Sequence, residues 1–187
     1  MTRLNYQAIH TDYFLWGHLT GIKNNILKKL CIKNYNNRLS DNPGHGKNED
    51  IYIPYTKEVD EVVEKIKDAY FLYSNRKLKL INLWSHVQYK HETSERHDHL
   101  DLSDIYSVRE NTPEIASCYY VNIPKNGGNL VFDSWPNRYV EKGWMVGAET
   151  GKFCMFPAGI QHRVLKNQNT EPRVCIAMNF RLNFKAT

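Results

Sequence analysis

Two stretches of the sequence carry side chains that bind metal ions and acidic ligands. The first reads Arg-His-Asp-His-Leu-Asp and offers His97, His99 and Asp101 at alternate positions. In an extended strand alternate side chains share one face, so all three residues could meet in one site. The second contains His162, with Arg173 further along the chain. Two histidines and one carboxylate are the ligand set of non-haem Fe(II) oxygenases, which leaves open positions on the metal.

The residues around His162 favour a site over chance. A solvated loop would account for the first stretch alone, because His and Asp are common in polar loops. The second stretch runs from an apolar segment, Phe-Cys-Met-Phe, through a proline turn to His162 and later to Arg173. This combination is much rarer, and it predicts that the two stretches belong to one functional site.

The order of these motifs resembles the 2-oxoglutarate (2OG) and Fe(II)-dependent dioxygenases. It is most similar to a bacterial and phage branch of that superfamily that carries a His-x-His motif. One departure is Ser117-Cys118, which stands where that branch usually has Gly-Val. The resemblance extends over residues 78–184 and is carried by Trp84, His97, His99, residues 116–124, residues 127–132, Phe156-Pro157, His162 and residues 173–179.

The resemblance implies a cofactor, a co-substrate and a reaction. Such enzymes use Fe(II), 2OG and O₂, so we expect a hydroxylase of a peptide, a protein or a small molecule. The distal carboxylate of 2OG needs a cation, and the planar fork of an arginine suits it, which indicates Arg173. Tyr119 and Asn179 are further candidates for contact with the co-substrate, because alternation along their strands can turn them inward.

Two sets of iron ligands remain open. The usual His-x-Asp pattern selects His99 and Asp101 together with His162. The resemblance instead aligns His97-x-His99 with that pattern, which gives a site of three histidines. A carboxylate would offset the charge of the ion in a low-dielectric site, and this favours Asp101. His99 and His162 belong to the site in both interpretations.

A hairpin offers one way to bring Arg173 to the metal. If residues 162–164 pair with residues 173–175 about a turn at Gln168-Asn169, then His162 and Arg173 become diagonal neighbours about 7–8 Å apart. We therefore predict such a hairpin. A shift of one residue in the turn would place the two side chains on opposite faces.

Hydrophobic periodicity predicts two helices before the strands begin. Apolar residues recur at helical spacing from Leu19 to Leu30, and again from Val59 to Tyr70 after a capping Thr56. Residues 34–50 are rich in Asn, Gly and Asp and predict a loop.

From Leu78 to Tyr89 the period becomes two, with a polar face that could line a pocket. Short strands then follow at 115–123, 129–133, 144–147, 151–156, 162–166 and 173–182.

These elements predict a mainly β protein with helices on one outer face. The resemblance specifies a double-stranded β-helix, a jelly-roll arrangement of two sheets. We expect a single domain over residues 1–187, with a helical support region at 1–75 and the catalytic core at 76–187. No apolar run is long enough to cross a bilayer.

Composition and charge place limits on other functions. Four widely spaced cysteines and a polar N-terminus without a secretory signal predict a reduced, cytoplasmic protein. The net charge of +5 lies in residues 1–40, chiefly on the helix from Lys23 to Lys33. Two alternatives therefore stay open. They are a metal-binding β-barrel without oxygenase activity, and a nucleic-acid or assembly protein that uses this basic helix.

Overall fold

The computed structural model describes residues 3–9, 12–41, 51–100, 112–132 and 144–183. Within these ranges, the chain forms two helices and eleven strands. They are β1 (Arg3–Ile9), β2 (Asp12–His18), α1 (Asn24–Asp41), β3 (Ile51–Tyr52), α2 (Lys57–Ser74), β4 (Leu78–Gln88), β5 (Ser94–His97), β6 (Ile115–Asn122), β7 (Leu130–Phe132), β8 (Trp144–Val146), β9 (Lys152–Pro157), β10 (His162–Val164) and β11 (Arg173–Leu182).

The strands form two antiparallel sheets. The major sheet has the order β1-β2-β9-β6-β11-β4-β3, and the minor sheet has the order β5-β10-β7-β8. One apolar core lies between the sheets and includes Tyr120 and Phe156 from the major sheet and Phe132 and Val164 from the minor sheet. A second core joins the other face of the major sheet to both helices. This architecture confirms the predicted double-stranded β-helix with helices outside.

Helix α2 forms as its sequence predicts. The Thr56 hydroxyl oxygen accepts a hydrogen bond from the Val59 backbone N–H at 3.3 Å, which satisfies one of the unpaired donors of the first turn. Asn75 ends the helix in the left-handed conformation at φ 55°. The apolar stripe is buried against the major sheet and consists of Val59, Val62, Val63, Ile66 and Ala69.

The predicted strands after residue 78 are confirmed to within two residues. Two expectations for the N-terminal region are wrong, namely the start of the first helix and the loop over residues 34–41. Helix α1 begins at Asn24 and continues through residues 34–41, which we expected to be a loop, while residues 42–50 lie outside the described part of the chain. Its buried stripe consists of Leu27, Cys31 and Tyr35. Because this stripe keeps helical spacing through Tyr35, the helix continues into the Asn-rich segment that follows Lys33. The first 75 residues also supply β1, β2 and β3 to the major sheet.

The predicted hairpin of residues 162–164 with residues 173–175 does not form. Strand β10 pairs with β5 and β7 in the minor sheet, whereas β11 pairs with β4 and β6 in the major sheet. The connection between them is fixed by the buried Asn167, whose amide N–H groups donate to the carbonyls of Gln88 and Glu171 at 3.0 Å. His162 and Arg173 therefore approach one cleft from opposite sheets.

The position of β10 depends on a close backbone approach at Gly128. This glycine precedes β7, the partner of β10, and has a φ of +89°. A Cβ atom there would lie 2.1 Å from the carbonyl oxygen of Leu165, just after β10. No side chain fits at this distance, so the pairing of β7 with β10 requires glycine.

Replacement of Gly128 by alanine should lower the free energy of unfolding by at least about 2 kcal/mol, because a positive φ and a backbone clash act together. Urea unfolding followed by circular dichroism measures this. Gly147→Ala is the matched control, since a Cβ there would meet nothing nearer than a Glu149 side-chain oxygen at 3.9 Å. Equal stability of Gly128→Ala and the parent protein would contradict this account of the turn.

Candidate metal and co-substrate site

Three histidines converge at one end of the space between the sheets. His97 ends β5 and lies directly opposite His162 of β10. His99 follows β5, and its backbone N–H donates to the carbonyl of Ala158 at 2.9 Å. The ring nitrogens available to a metal all lie within 4.8 Å of one another, and the Nε2 atoms of His99 and His162 are 3.2 Å apart. The two stretches that the sequence singled out therefore meet.

Each imidazole is oriented by a hydrogen bond from its other ring nitrogen. The Nδ1–H of His97 donates to the carbonyl of Glu95 at 2.8 Å, and that of His162 donates to the carbonyl of Ile160 at 2.9 Å. The Nδ1–H of His99 donates to the Asn179 side-chain oxygen at 2.6 Å. These acceptors select the tautomer that leaves Nε2 with a free lone pair, which is the arrangement found around metal-ligating histidines.

The two more deeply placed imidazoles are neutral at physiological pH. Burial lowers the pKa of His162 to about 3. Burial, partly offset by the hydrogen bond to Asn179, lowers the pKa of His99 to about 4. A neutral imidazole is the form that binds a metal ion, so no proton has to be displaced from either ring near neutral pH.

The geometry of the three rings fits a small divalent ion. Two ligand nitrogens about 2.1 Å from one ion and at right angles to each other would be separated by about 3 Å, close to the spacing of His99 and His162. Asp98 is turned away, because its carboxylate accepts the Leu100 backbone N–H at 2.9 Å. Asp101 lies outside the described residues. Within the described part of the chain, the cluster thus consists of imidazoles alone.

Arg173 is buried in the same cleft. Its side chain is among the largest that are fully buried, with 1% exposure, although it carries a permanent positive charge. Both sheets contribute to the lining of this cleft, which is formed by Trp84, His86, Ser94, His97, His99, Ser117, Cys118, Leu130, Phe156, His162, Val164, Arg173, Cys175 and Ala177. None of these described lining residues is an aspartate or a glutamate, so the guanidinium has no carboxylate partner there.

The groups that contact Arg173 only partly compensate its charge. Its Nη1 donates to the Cys175 sulfur at 3.3 Å, and the guanidinium carbon lies 5.4 Å from the centre of the Tyr120 ring. Burial raises the pKa of Tyr120 well above its ordinary value, and a hydrogen bond with Cys175 together with burial raises that of Cys118. Both groups stay neutral, and a neutral environment around a buried cation is costly unless an anion binds.

Tyr119 does not lie where the sequence analysis expected. It is buried on the helix side of the major sheet, and its hydroxyl donates to the Asn24 side-chain oxygen at 2.8 Å. Tyr120, one residue on, occupies the cleft side. The expectation of a co-substrate contact at Tyr119 is therefore wrong, because the alternation along β6 places the other tyrosine inward.

Asn179 lies on the cleft side of β11, in the same alternation as Arg173 and Cys175. Its observed partner is His99, so the structure places it next to a candidate ligand. The polar face of β4 lines the cleft through Trp84 and His86, as one interpretation of its alternation proposed. Sequence reasoning missed Cys175, although its alternation with Arg173 was available, and of the tyrosine pair it selected Tyr119 where the structure turns Tyr120 inward.

A family model matches residues 82–179, just over half of the chain, and is described as "Putative 2OG-Fe(II) oxygenase". The matched segment begins at β4 and ends at Asn179. It therefore contains the three histidines and Arg173. Curated proteins give no match by sequence comparison.

Solved structures of similar fold come from enzymes of this kind. The viral collagen prolyl hydroxylase of Paramecium bursaria Chlorella virus-1, in complex with 2OG, has a TM-score of 0.63 at 12% identity over 94% of this chain and 99% of that chain. A Pseudomonas putida prolyl-4-hydroxylase has a TM-score of 0.56 at 13% identity, over 90% and 93%. SnoK, a carbocyclase of nogalamycin biosynthesis dependent on alpha-ketoglutarate, has a TM-score of 0.64 at 11% identity, over 90% and 79%.

Neither described helix is long and apolar enough to span a membrane. The family uses Fe(II) and 2OG, and the imidazole cluster and buried arginine supply ligand types suited to each. From the match over residues 82–179, the chain belongs to the 2OG-Fe(II) oxygenase family and is an oxidoreductase of that family.

Proposed function

We propose that this protein is a 2OG-dependent hydroxylase in which His97, His99 and His162 hold Fe(II) and Arg173 binds the distal carboxylate of 2OG. The observation that carries the proposal is the presence, in one cleft, of three convergent imidazoles and a buried guanidinium without a carboxylate partner. An imidazole cluster by itself would suit many metal proteins. A buried cation with no carboxylate partner among the described residues calls for an anionic ligand that enters the same space.

The roles of the protein groups follow from their positions. Fe(II), when bound, would supply the activation of O₂ that is coupled to decarboxylation of 2OG. The three histidines would leave the remaining metal positions open, with His162 anchored in β10 and His99 fixed by Asn179. Arg173 would orient the co-substrate from the opposite sheet. Apolar residues such as Phe156 and Leu130 would limit the access of water to the reacting groups.

The substrate would be a peptide, a protein or a small molecule with an unactivated C–H bond. Two of the similar structures are prolyl hydroxylases, which gives peptides first place in a substrate screen. Release of succinate and CO₂ from 2OG is the readout that does not depend on the substrate tested, since it accompanies each turnover.

We also propose a cytoplasmic location. Cys31, Cys118, Cys154 and Cys175 are all free thiols, and three of them are buried. Free buried thiols are typical of proteins in a reducing compartment.

The nucleic-acid alternative receives little support from helix α1. Lys28, in the middle of its basic stretch, forms an ion pair with Glu171. The oxygenase proposal uses Arg173, His97, His99 and His162, whereas neither alternative gives the buried arginine a role.

Measurement of metal affinity should show whether His97 or Asp101 is the third metal ligand. His97→Ala, His99→Ala and His162→Ala should each weaken binding of Fe(II) or Co(II) by more than about 100-fold, because loss of an outer partner of a ligand already costs about 10–100-fold. Asp101→Ala should bind nearly as well as the parent protein. Anaerobic calorimetry, or the visible bands of Co(II), reports the affinity.

His18→Ala is the control for the loss of a histidine, since His18 is half exposed and contacts only Glu149 among the described ion pairs. If Asp101→Ala lost the metal and His97→Ala retained it, the carboxylate would replace His97 as the third ligand. If His99→Ala bound metal as tightly as the parent protein, the whole site would have to be moved.

Binding of 2OG should depend on Arg173. Arg173→Ala should weaken binding of 2OG to the metal-loaded protein by roughly 2–5 kcal/mol, as for truncation of one member of a buried charge pair. Affinity for the metal alone should be nearly unchanged. The measurement is an anaerobic titration of the Fe(II)-loaded protein with 2OG, followed by the weak visible band of the chelate.

Arg163→Ala provides the matched control. Arg163 lies on β10 next to His162, but its side chain is exposed. An Arg173→Ala protein that binds 2OG as tightly as Arg163→Ala and the parent protein would remove Arg173 from the site.

A further inference from the structure

Gln88 is a fully buried polar residue for which the metal site has given no role. Its side chain has 0% exposure. Neither its amide nitrogen nor its amide oxygen has a hydrogen-bond partner among the described residues. The backbone carbonyl of Gln88 is satisfied by Asn167, so only the side chain is left without partners. A buried amide in this condition costs on the order of 1–3 kcal/mol, which proteins seldom accept without a reason.

The pairing of β4 with β11 places Gln88 next to Arg173. The two residues are direct cross-strand partners at the end of the ladder. The preceding pairs on this face are His86 with Cys175 and Trp84 with Ala177, and all four residues line the cleft. By strand alternation Gln88 continues the same face, one step beyond His86. Its neighbour Val87 is buried on the opposite, helix-facing side.

Gln88 and Arg173 each carry a buried hydrogen-bonding group without a partner among the described residues. The Nε of Arg173, like the Gln88 amide, is buried without a partner. Side chains directly opposite each other in an antiparallel pair have Cβ atoms about 4.5–5.5 Å apart, so both can reach one small group. A carboxylate accepts about four hydrogen bonds through its two oxygens. A bidentate arginine uses two of them and leaves capacity for an amide N–H.

We infer that Gln88 is a second binding residue for the distal carboxylate of 2OG and donates to it from the amide nitrogen beside Arg173. The inference rests on the proposed function, because it assumes that Arg173 binds this carboxylate. An amide suits the position better than a carboxylate of the same shape. Glutamate would form an ion pair with Arg173 in the empty site and would repel the co-substrate, whereas glutamine adds a donor and leaves the cation free.

The inference predicts that Gln88→Leu weakens binding of 2OG without lowering the stability of the free protein. Leucine removes two unpartnered polar atoms at similar size, so the midpoint of thermal unfolding without 2OG should stay equal or rise. Binding of 2OG to the metal-loaded protein should weaken by about 10-fold or more, because hydrogen bonds to charged groups are stronger than neutral ones. Gln88→Glu should weaken binding further. Isothermal titration under anaerobic conditions and differential scanning fluorimetry give the two readouts.

A co-substrate analogue tests the contact itself. 2-Oxobutyrate keeps the metal-chelating end and lacks the distal carboxylate. Its affinity should therefore be equal in Gln88→Leu and the parent protein, while the affinity for 2OG differs. Gln168→Leu is the control for the substitution, since Gln168 is exposed and lies outside the cleft lining.

The outcomes distinguish this inference from the proposed function. A parent protein that binds metal but not 2OG would overturn both. A parent protein that binds 2OG, together with a Gln88→Leu protein of equal affinity, would overturn only the role of Gln88. A Gln88→Leu protein that loses stability and weakens for both ligands alike would make Gln88 a structural residue. If Gln88→Leu failed to fold, the near-isosteric Gln88→Glu would decide, because parent-like 2OG affinity in that variant contradicts the contact.

Discussion

The cleft is built around a permanently charged guanidinium, that of Arg173, which is buried without a carboxylate partner among the described residues. Burial of a charge is tolerated only where other groups compensate it. Here the described contacts of the guanidinium are the face of the Tyr120 ring and the Cys175 sulfur, and the raised pKa of the Tyr120 hydroxyl keeps that group neutral. The protein keeps Arg173 fixed because β11 is held between β4 and β6 near the centre of the major sheet. In the proposed function the fold would bear the cost of the cation in the free protein, and an anionic ligand would relieve it on binding.

The second constraint is that the histidine cluster and Arg173 approach the cleft from opposite sheets. His162 and His97 are carried by the minor sheet, whereas Arg173 is carried by the major sheet. A ligand that contacts both must therefore span the space between the sheets, which a diacid with one chelating end can do. The pKa of His86 is affected by both Arg173 and His97. Its pKa falls to about 3, mainly through burial and then through Arg173 and His97, so it adds no further charge to the space.

Local periodicity predicted most of the helices and strands. The positions of most site residues depend instead on which distant strands pair and in what register. The period-two pattern gave β4 and β11, and the capping Thr56 gave α2. Alternation could not choose between Tyr119 and Tyr120, because a doublet has one residue on each face whatever the register. The same rule did predict that His97 and His99 meet, although β5 ends at His97 and His99 reaches the cluster from the bend that follows. Family resemblance identified the candidate site residues. Only the pairing of distant strands in the structure showed which other residues they contact.

Charge balance links the two halves of the site. In the proposed site three imidazole ligands, which bring no negative charge, would leave the full charge of a divalent ion in place, and Arg173 would add another positive charge nearby. The 2OG dianion offsets most of this total, so metal and co-substrate should each favour binding of the other by the same factor, as linkage requires. A carboxylate ligand would reduce that mutual effect, because it would already neutralise part of the ion. The group behind His99 is also uncharged, because its Nδ1–H donates to the side-chain oxygen of Asn179, where a carboxylate could have stood. In the proposed site the co-substrate itself would therefore be the principal counter-charge.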